Sequence, residues 1–135
     1  MNLKSLLLVA ALLSISLSAA AQTTPRAAVA TERTDNTVLV DFGQEMYGFV
    51  KLHGLRGRGN VAVYYGSARE EALNTAGSTT LDKFSINHSQ PTDWLMKEAR
   101  TLRYAYVVHD LNSNITLDAV SLMYVQAEKN VTHKK

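Results

Sequence analysis

The sequence predicts an all-β fold, an antiparallel β-sandwich, and three observations lead to this prediction. Short runs rich in Val, Tyr, Phe and Thr recur at roughly ten-residue spacing. Glycine or asparagine marks the ends of several of these runs, as expected for strands joined by turns. The segment Ala68–Asn74 is the one stretch whose composition favours a helix, and its length allows about two turns.

Five runs, taken in chain order, have the length and composition of strands. They are Thr37–Phe42, Tyr47–Leu52, Asn60–Gly66, Thr92–Lys97 and Thr101–His109. The glycine-rich stretch 54–59 separates the second run from the third and is predicted to form a hairpin connection. In the fifth run, strict alternation places Leu102, Tyr104, Tyr106 and Val108 on one face, which we expect to be the core.

The last run, Ile115–Val125, contains a change of parity. Ile115 and Leu117 share one face, whereas Val120, Leu122 and Tyr124 have the opposite count. A regular strand cannot bury both sets on one side, so the sequence predicts a β-bulge near Asp118 and Ala119.

The two ends of the chain are predicted to lie outside the fold. Residues 1–21 have a positive start, an apolar run and three alanines, which is the pattern of a secretory signal peptide cleaved before Gln22. Residues 22–36 are predicted to be flexible, residues 37–127 to form the β-sandwich, and residues 128–135 to be a polar tail. The leader looks bacterial, so we expect a secreted or periplasmic protein that has left the membrane after cleavage.

Composition and motifs exclude several classes of site. The formal net charge of +2 is too small for a nucleic-acid footprint, and the absence of cysteine excludes thiolate metal sites. The four histidines are scattered, so we expect neither a metal nor another cofactor. Glu70 and Glu71 are adjacent and would diverge on a helical turn, which makes them a poor acid–base pair. We therefore expect no catalytic residue in this chain.

Trp94 is the candidate carbohydrate-binding residue, because an exposed aromatic ring can stack on the apolar face of a sugar. Alternation places Trp94 and Met96 on one face and Leu95 on the other. If Leu95 faces inward, the Trp94 ring is exposed and available to a ligand. If Trp94 faces inward, it is a core residue.

Three segments in order carry a resemblance to a known family. The sequence from Val40 to Leu52 contains the pattern DFG-x-E-x-x-G, formed by Asp41, Gly43, Glu45 and Gly48, and it resembles a strand pair of bacterial α-L-rhamnosidases. The segment from Tyr64 to Ser67, followed by 70–73, is similar to the next segment of that family. Arg103 and Tyr104 match its late Arg-Tyr step. The ordered match covers about 38–125.

The resemblance implies the N-terminal, non-catalytic domain of such glycosidases, a jelly roll similar to galactose-binding domains. In the family this domain precedes an (α/α)6 barrel that carries the general acid and base, so the resemblance transfers no catalytic residue. Asp41, Gly43, Glu45, Gly48, Arg103 and Tyr104 are expected to be structural. Three interpretations stay open: an accessory domain that binds carbohydrate or is a truncated remnant, a component of a split hydrolase whose barrel is encoded separately, or an interaction module of the cell envelope.

Overall fold

The computed structural model describes residues 22–126, and the signal peptide and the polar tail predicted at the two ends lie outside this range. The described chain contains six strands and one short helix. In chain order they are β1 (Thr23–Ala27), β2 (Ala30–Arg33), β3 (Thr37–Gly66), α1 (Arg69–Leu73), β4 (Leu81–Leu95), β5 (Arg100–His109) and β6 (Ala119–Val125). The pairings of β3 with β2, β4, β5 and β6 are all antiparallel, and the predicted all-β class is confirmed.

The long strand β3 organises the sheet, because it curls and pairs along different stretches with different partners. Its first part pairs with β2 and with one edge of β5, and its last part pairs with the other edge of β5 and with β4. Its middle lies between β6 and the end of β4. The three separate strands predicted between Thr37 and Gly66 are therefore one bent element, and the predicted strand at 92–97 is the end of the longer β4.

The core lies inside the curled sheet and is almost entirely aliphatic. Alternate residues of β3 and β5 point inward, and Leu52, Val63, Leu102 and Val107 have no exposed surface. Burial of such side chains supplies the main stabilisation, at about 1.5–3 kcal/mol each. The predicted helix is confirmed as α1, whose Ala72 is fully buried.

The prediction that Tyr104, Tyr106 and Val108 face the core is wrong. The buried residues of β5 are Leu102, Ala105 and Val107, so the alternation changes between Leu102 and Ala105. The pairing with β3 is irregular at this point. Between two consecutive residue pairs, β3 advances from Asp41 to Met46, whereas β5 advances only from Tyr104 to Leu102. The irregularity originates in β3, where Gly43 has a φ of +90°, and the sequence of β5 alone contains no sign of it.

The region predicted to be flexible, 22–36, contains two strands instead. All four residues of β2 are exposed, so the segment has no hydrophobic period from which a strand could be predicted. It is held through its backbone, in register with residues 38–41 of β3. The chain divides into two compact units, and the larger one, Pro25–Tyr124, begins before the predicted boundary at residue 37. Outside the larger unit, the Gln126 N–H donates to the Gln22 carbonyl at 3.0 Å.

The parity change in the last run is located correctly, but an extra residue in one strand does not cause it. Thr116 is opposite Arg56 and Ala119 is opposite His53, so the two paired segments advance by the same number of residues. Both segments are irregular here, and Gly54 in β3 takes a left-handed conformation with a φ of +68°. Ile115 and Leu117 are buried on one side of this point, and Val120 and Leu122 on the other. Between residues 22 and 126, no helix is long and apolar enough to span a membrane.

Candidate functional site

The sheet register places residues from all three family segments side by side. Asp41 in the first part of β3 is opposite Tyr104 in β5, and Tyr104 is in turn opposite Gly66 at the end of β3. Residues far apart in sequence therefore form one row across the sheet. We call the polar group around this row, made of Asp41, Glu45, Ser67, Arg103 and Tyr104, the motif cluster.

Asp41 is the best-connected side chain of the motif cluster. Its Oδ1 accepts the Gly43 N–H at 2.7 Å, and its two oxygens accept Nε and Nη2 of Arg103 at 2.8 and 3.1 Å. A two-point bond between a guanidinium and a carboxylate is geometrically specific and stronger than a neutral hydrogen bond. The hydrogen bond from Arg103 is the main cause of the lowered pKa of Asp41. The Arg103 guanidinium also lies 5.1 Å from the centre of the Tyr104 ring.

The other polar groups of this region also bond to one another. The Ser67 hydroxyl bonds to the Glu45 carboxylate. The Ser67 N–H donates to Glu71 Oε1 at 2.8 Å. Arg69, the first residue of α1, forms an ion pair with Glu32 of β2 at 2.7 Å. These contacts tie the end of β3 and the start of α1 to β2 and to the first part of β3.

The two motif glycines serve different purposes. Gly43 has a φ of +90°, which residues other than glycine rarely adopt. Its N–H donates the hydrogen bond that Asp41 accepts. Gly48 lies away from the cluster, where β3 meets β6. A Cβ atom at Gly48 would come within 2.4 Å of the Met123 carbonyl oxygen, so only glycine lets the two backbones approach this closely.

Trp94 lies elsewhere, on the core side of β4. It is partly buried and stacks on Phe84 with ring centres 4.7 Å apart and planes 10° apart. Its neighbour Met96 is buried, whereas Leu95 is half exposed. Of the two alternatives that the sequence left open, the structure therefore has Leu95 facing outward and one face of the Trp94 ring covered by Phe84.

A partly buried polar network around Tyr65 was not predicted from the sequence. Tyr65 is only 2% exposed, and its hydroxyl donates to Asp82, which also accepts Arg100 Nη2 at 3.0 Å. The Arg100 guanidinium lies 4.8 Å from the centre of the Tyr65 ring. Burial, followed by the bond to Asp82, raises the pKa of Tyr65, so the hydroxyl keeps its proton. A signal was available in principle, because Tyr65 has the same parity as the apolar residues Val61 and Val63.

A second grouping that the sequence did not reveal has the residue types of a hydrolase triad. His53 Nε2 is 2.6 Å from the Ser121 hydroxyl, and His53 Nδ1 is 3.7 Å from Asp93 Oδ2. The second distance is too long for a hydrogen bond. Ser121 lies within β6, opposite Lys51 of β3, rather than at a turn whose N–H groups could stabilise an oxyanion. The grouping is best described as a surface polar network.

The described residues thus give the motif cluster the features of a structural junction. Its carboxylates are engaged by Arg103, Gly43 and Ser67, so they are not poised as an acid and a base on either side of a cleft. Within residues 22–126 no group of three or more His, Cys, Asp or Glu side chains could hold a metal ion. The cluster can fix the relative position of β2, β3, β5 and α1.

Solved structures with a similar fold come from longer proteins. A rhamnosidase from Klebsiella oxytoca with rhamnose bound aligns over 78% of this chain and 29% of its own, with 11% identity and a TM-score of 0.59. An α-L-rhamnosidase from Dictyoglumus thermophilum aligns over 78% of this chain and 13% of its own, with 12% identity and a TM-score of 0.57. A GH78 family rhamnosidase of Bacillus sp. GL1 aligns over 66% and 10%, with 15% identity and a TM-score of 0.52.

These similarities, at such low identity, establish the fold alone, and the chain spans less than a third of each matched structure. No curated protein sequence matches the chain. A family described as "Alpha-rhamnosidase-like, bacteroidetes, N-terminal" matches residues 16–107, which include the whole motif cluster. The chain therefore belongs to the family of N-terminal domains of α-rhamnosidase-like proteins of the Bacteroidetes.

Proposed function

We propose that this chain is an exported, non-catalytic accessory domain that works together with the catalytic (α/α)6 barrel of an α-L-rhamnosidase-like protein. The observation that carries the proposal is the state of the motif cluster: Asp41 and Glu45 are engaged by Arg103, Gly43 and Ser67. A carboxylate held in a two-point bond to a guanidinium stays ionised, so Asp41 is a poor general acid and serves to hold its strands together. Family membership and the longer rhamnosidases with a similar fold support the same role.

The accessory role has two forms that differ in where the barrel is encoded. The barrel either belongs to the same polypeptide or is a separate chain on which this domain docks, as in a split hydrolase. The chemistry is the same in both cases, since the general acid and base would come from the barrel. Export depends on residues 1–21, which have the pattern of a signal peptide.

A hydrolysis assay tests the accessory role. The purified full chain, incubated with an aryl α-L-rhamnoside, should release no more of the aryl alcohol than buffer does. A fluorophosphonate probe should likewise leave Ser121 unlabelled, with Ser121→Ala as the matched control, because Ser121 has no oxyanion site near it. Turnover that is abolished by Asp41→Asn or Glu45→Gln would contradict the proposal, and so would labelling that disappears in Ser121→Ala.

Whether Trp94 binds carbohydrate is a separate question, and the fluorescence of this residue can answer it. The stacked Phe84 and the partial burial of Trp94 lead us to expect blue-shifted emission that iodide quenches weakly. Because this is the single tryptophan of the chain, the signal needs no deconvolution. Red-shifted emission that is readily quenched, and that responds to a rhamnosyl oligosaccharide, would instead support sugar stacking on this ring.

A further inference from the structure

The face of the sheet opposite the core carries three tyrosines. Val61, Val63 and Tyr65 point into the core, so the intervening Ala62 and Tyr64 point outward. In β5, Ala105 and Val107 are buried, so Tyr104, Tyr106 and Val108 also lie outward. All three tyrosines are partly exposed. We call this surface the outer face. Large rings on the solvent side of a sheet are frequent at contact sites for ligands.

A depression of about 510 Å³ lies on the outer face at the end away from α1. Ala62 and Val108 are opposite each other in the two central strands, and Lys83 is opposite Ala62 in β4. The small side chain of Ala62 leaves space between its larger neighbours. Tyr64 and Tyr106 come two residues further along the same strands, about 7 Å away along each strand. Their ring centres are 6.4 Å apart, and the two rings lie next to the depression on the same face without being among its lining residues.

The border of the depression on the side away from these tyrosines is polar and already ordered. The Ser85 hydroxyl donates to Asn60 Oδ1 at 2.8 Å, and the N–H and Nδ2 of Asn60 donate to Asp110 Oδ2 at 2.9 and 3.3 Å. Both bonds from Asn60 use Oδ2, and within residues 22–126 no group donates to Asp110 Oδ1, which is therefore available as an acceptor. Across the described residues, Lys83 has neither an ion pair nor a side-chain hydrogen bond, and its ammonium is a donor beside the same space. A border held in place before binding loses little entropy when a ligand arrives.

We propose that this depression is a binding site for a neutral saccharide, placed with the apolar side of its ring toward Tyr64 and Tyr106 and its hydroxyls toward Asn60, Lys83 and Asp110. The site is distinct from Trp94, and it goes beyond the accessory role, which does not require ligand binding. The volume falls within the range of about 300–1,000 Å³ that is usual for small-molecule sites.

The charges at the border select for a neutral ligand. Among the residues that line the depression, Lys83 is cationic and Asp110 is anionic, so these two charges cancel. A phosphate or a polyanion would meet Asp110 and gain from one cation only, whereas Arg pairs or helix N-termini are the usual anion sites. A purely apolar ligand would leave the amide, ammonium and carboxylate groups without partners. A sugar, which offers both C–H faces and hydroxyls, matches the polar border and the neighbouring tyrosines.

The test is an NMR titration of the purified full chain with rhamnose, maltotriose and trigalacturonate, which compare two neutral sugars with an acidic one. We expect at least one neutral sugar to shift the backbone amide signals of Ala62, Lys83 and Val108, with saturation in the millimolar range. We expect trigalacturonate to cause no such shifts. The proposal would be overturned if neither neutral sugar shifted these signals, if only the acidic sugar did so, or if the shifts lay elsewhere on the domain.

Two pairs of variants make the assignment specific. Ala62→Gln fills the depression with a neutral side chain on the solvent side of the strand and should abolish binding. Thr101→Gln introduces the same side chain at an exposed position of β5, and this variant should bind the sugar as the unaltered chain does. Tyr106→Phe keeps the ring and should retain binding, whereas Tyr106→Ala should weaken it about two- to tenfold. Binding that survives Ala62→Gln would overturn the proposed location.

Discussion

The two ends of the outer face are built from the same strands, but their polar side chains are used differently. At the end near α1, Asp41 is bonded to Arg103 and Gly43, and Glu45 is bonded to Ser67. At the other end, Lys83 lies beside an open depression, and Asp110 keeps one carboxylate oxygen available. Polar groups that bond to each other stabilise the fold, whereas groups left available around a concave surface can bind a ligand. The motif cluster lies at the first end.

The largest effect is expected from Asp41→Ala at the motif end. The substitution removes the bond from the Gly43 N–H and leaves the Arg103 guanidinium without its carboxylate partner. We expect the free energy of unfolding to fall by about 1 kcal/mol and Tm to fall by about 4–8 °C. Asp35→Ala, at an exposed aspartate before β3, is the matched control and should melt like the unaltered chain. Equal melting curves for all three proteins would contradict a structural role for Asp41.

The pH dependence of this effect sharpens the comparison. Arg103 lowers the pKa of Asp41 in the folded state below its ordinary value of 3.8. Protonation therefore favours the unfolded chain, so the stabilisation by Asp41 is complete above about pH 4 and is lost as the pH falls through the folded-state pKa. The free energies of unfolding of the unaltered chain and of Asp41→Asn should differ clearly at about pH 7, and the difference should shrink as the pH falls below about 4. A difference that is the same at both pH values would show that the carboxylate charge is irrelevant.

The smallest effect on stability is expected at the depression. Ala62→Gln places a larger polar side chain where solvent has access, in a strand whose backbone pairing is unchanged. Its free energy of unfolding should stay within about 0.5 kcal/mol of the unaltered chain. A loss as large as that of Asp41→Ala would mean that Ala62 is packed against a neighbour, and the contrast between the two ends would fail.

The sequence predicted the class and most strand positions because β-branched and aromatic runs depend on local chemistry. Its errors lie where pairing partners decide the outcome. Tyr104 and Tyr106 alternate perfectly within β5, but the irregularity that turns them outward is introduced by Gly43 of β3. The exposed β2 has no apolar period from which a strand could be predicted. It needs none, because its neighbour in the sheet holds it through the backbone.

The candidate sites show the same limit. The motif residues could be found by their resemblance to a family, but the carboxylate with which Arg103 pairs depends on sheet register. The depression joins Asn60, Lys83 and Asp110, which lie in three separate stretches of the chain. No spacing in the sequence connects them, since strand pairing alone places them around Ala62.

The most direct test of the contrast between the two ends is the sugar affinity of Asp41→Asn, measured by NMR titration at a temperature where the variant is fully folded. We predict that Tm falls while the Kd for the neutral sugar that binds the unaltered chain is unchanged, because the motif cluster supports the fold and the depression alone contacts the ligand. A weakened Kd together with an unchanged Tm would contradict this account and would make the motif cluster itself the ligand site.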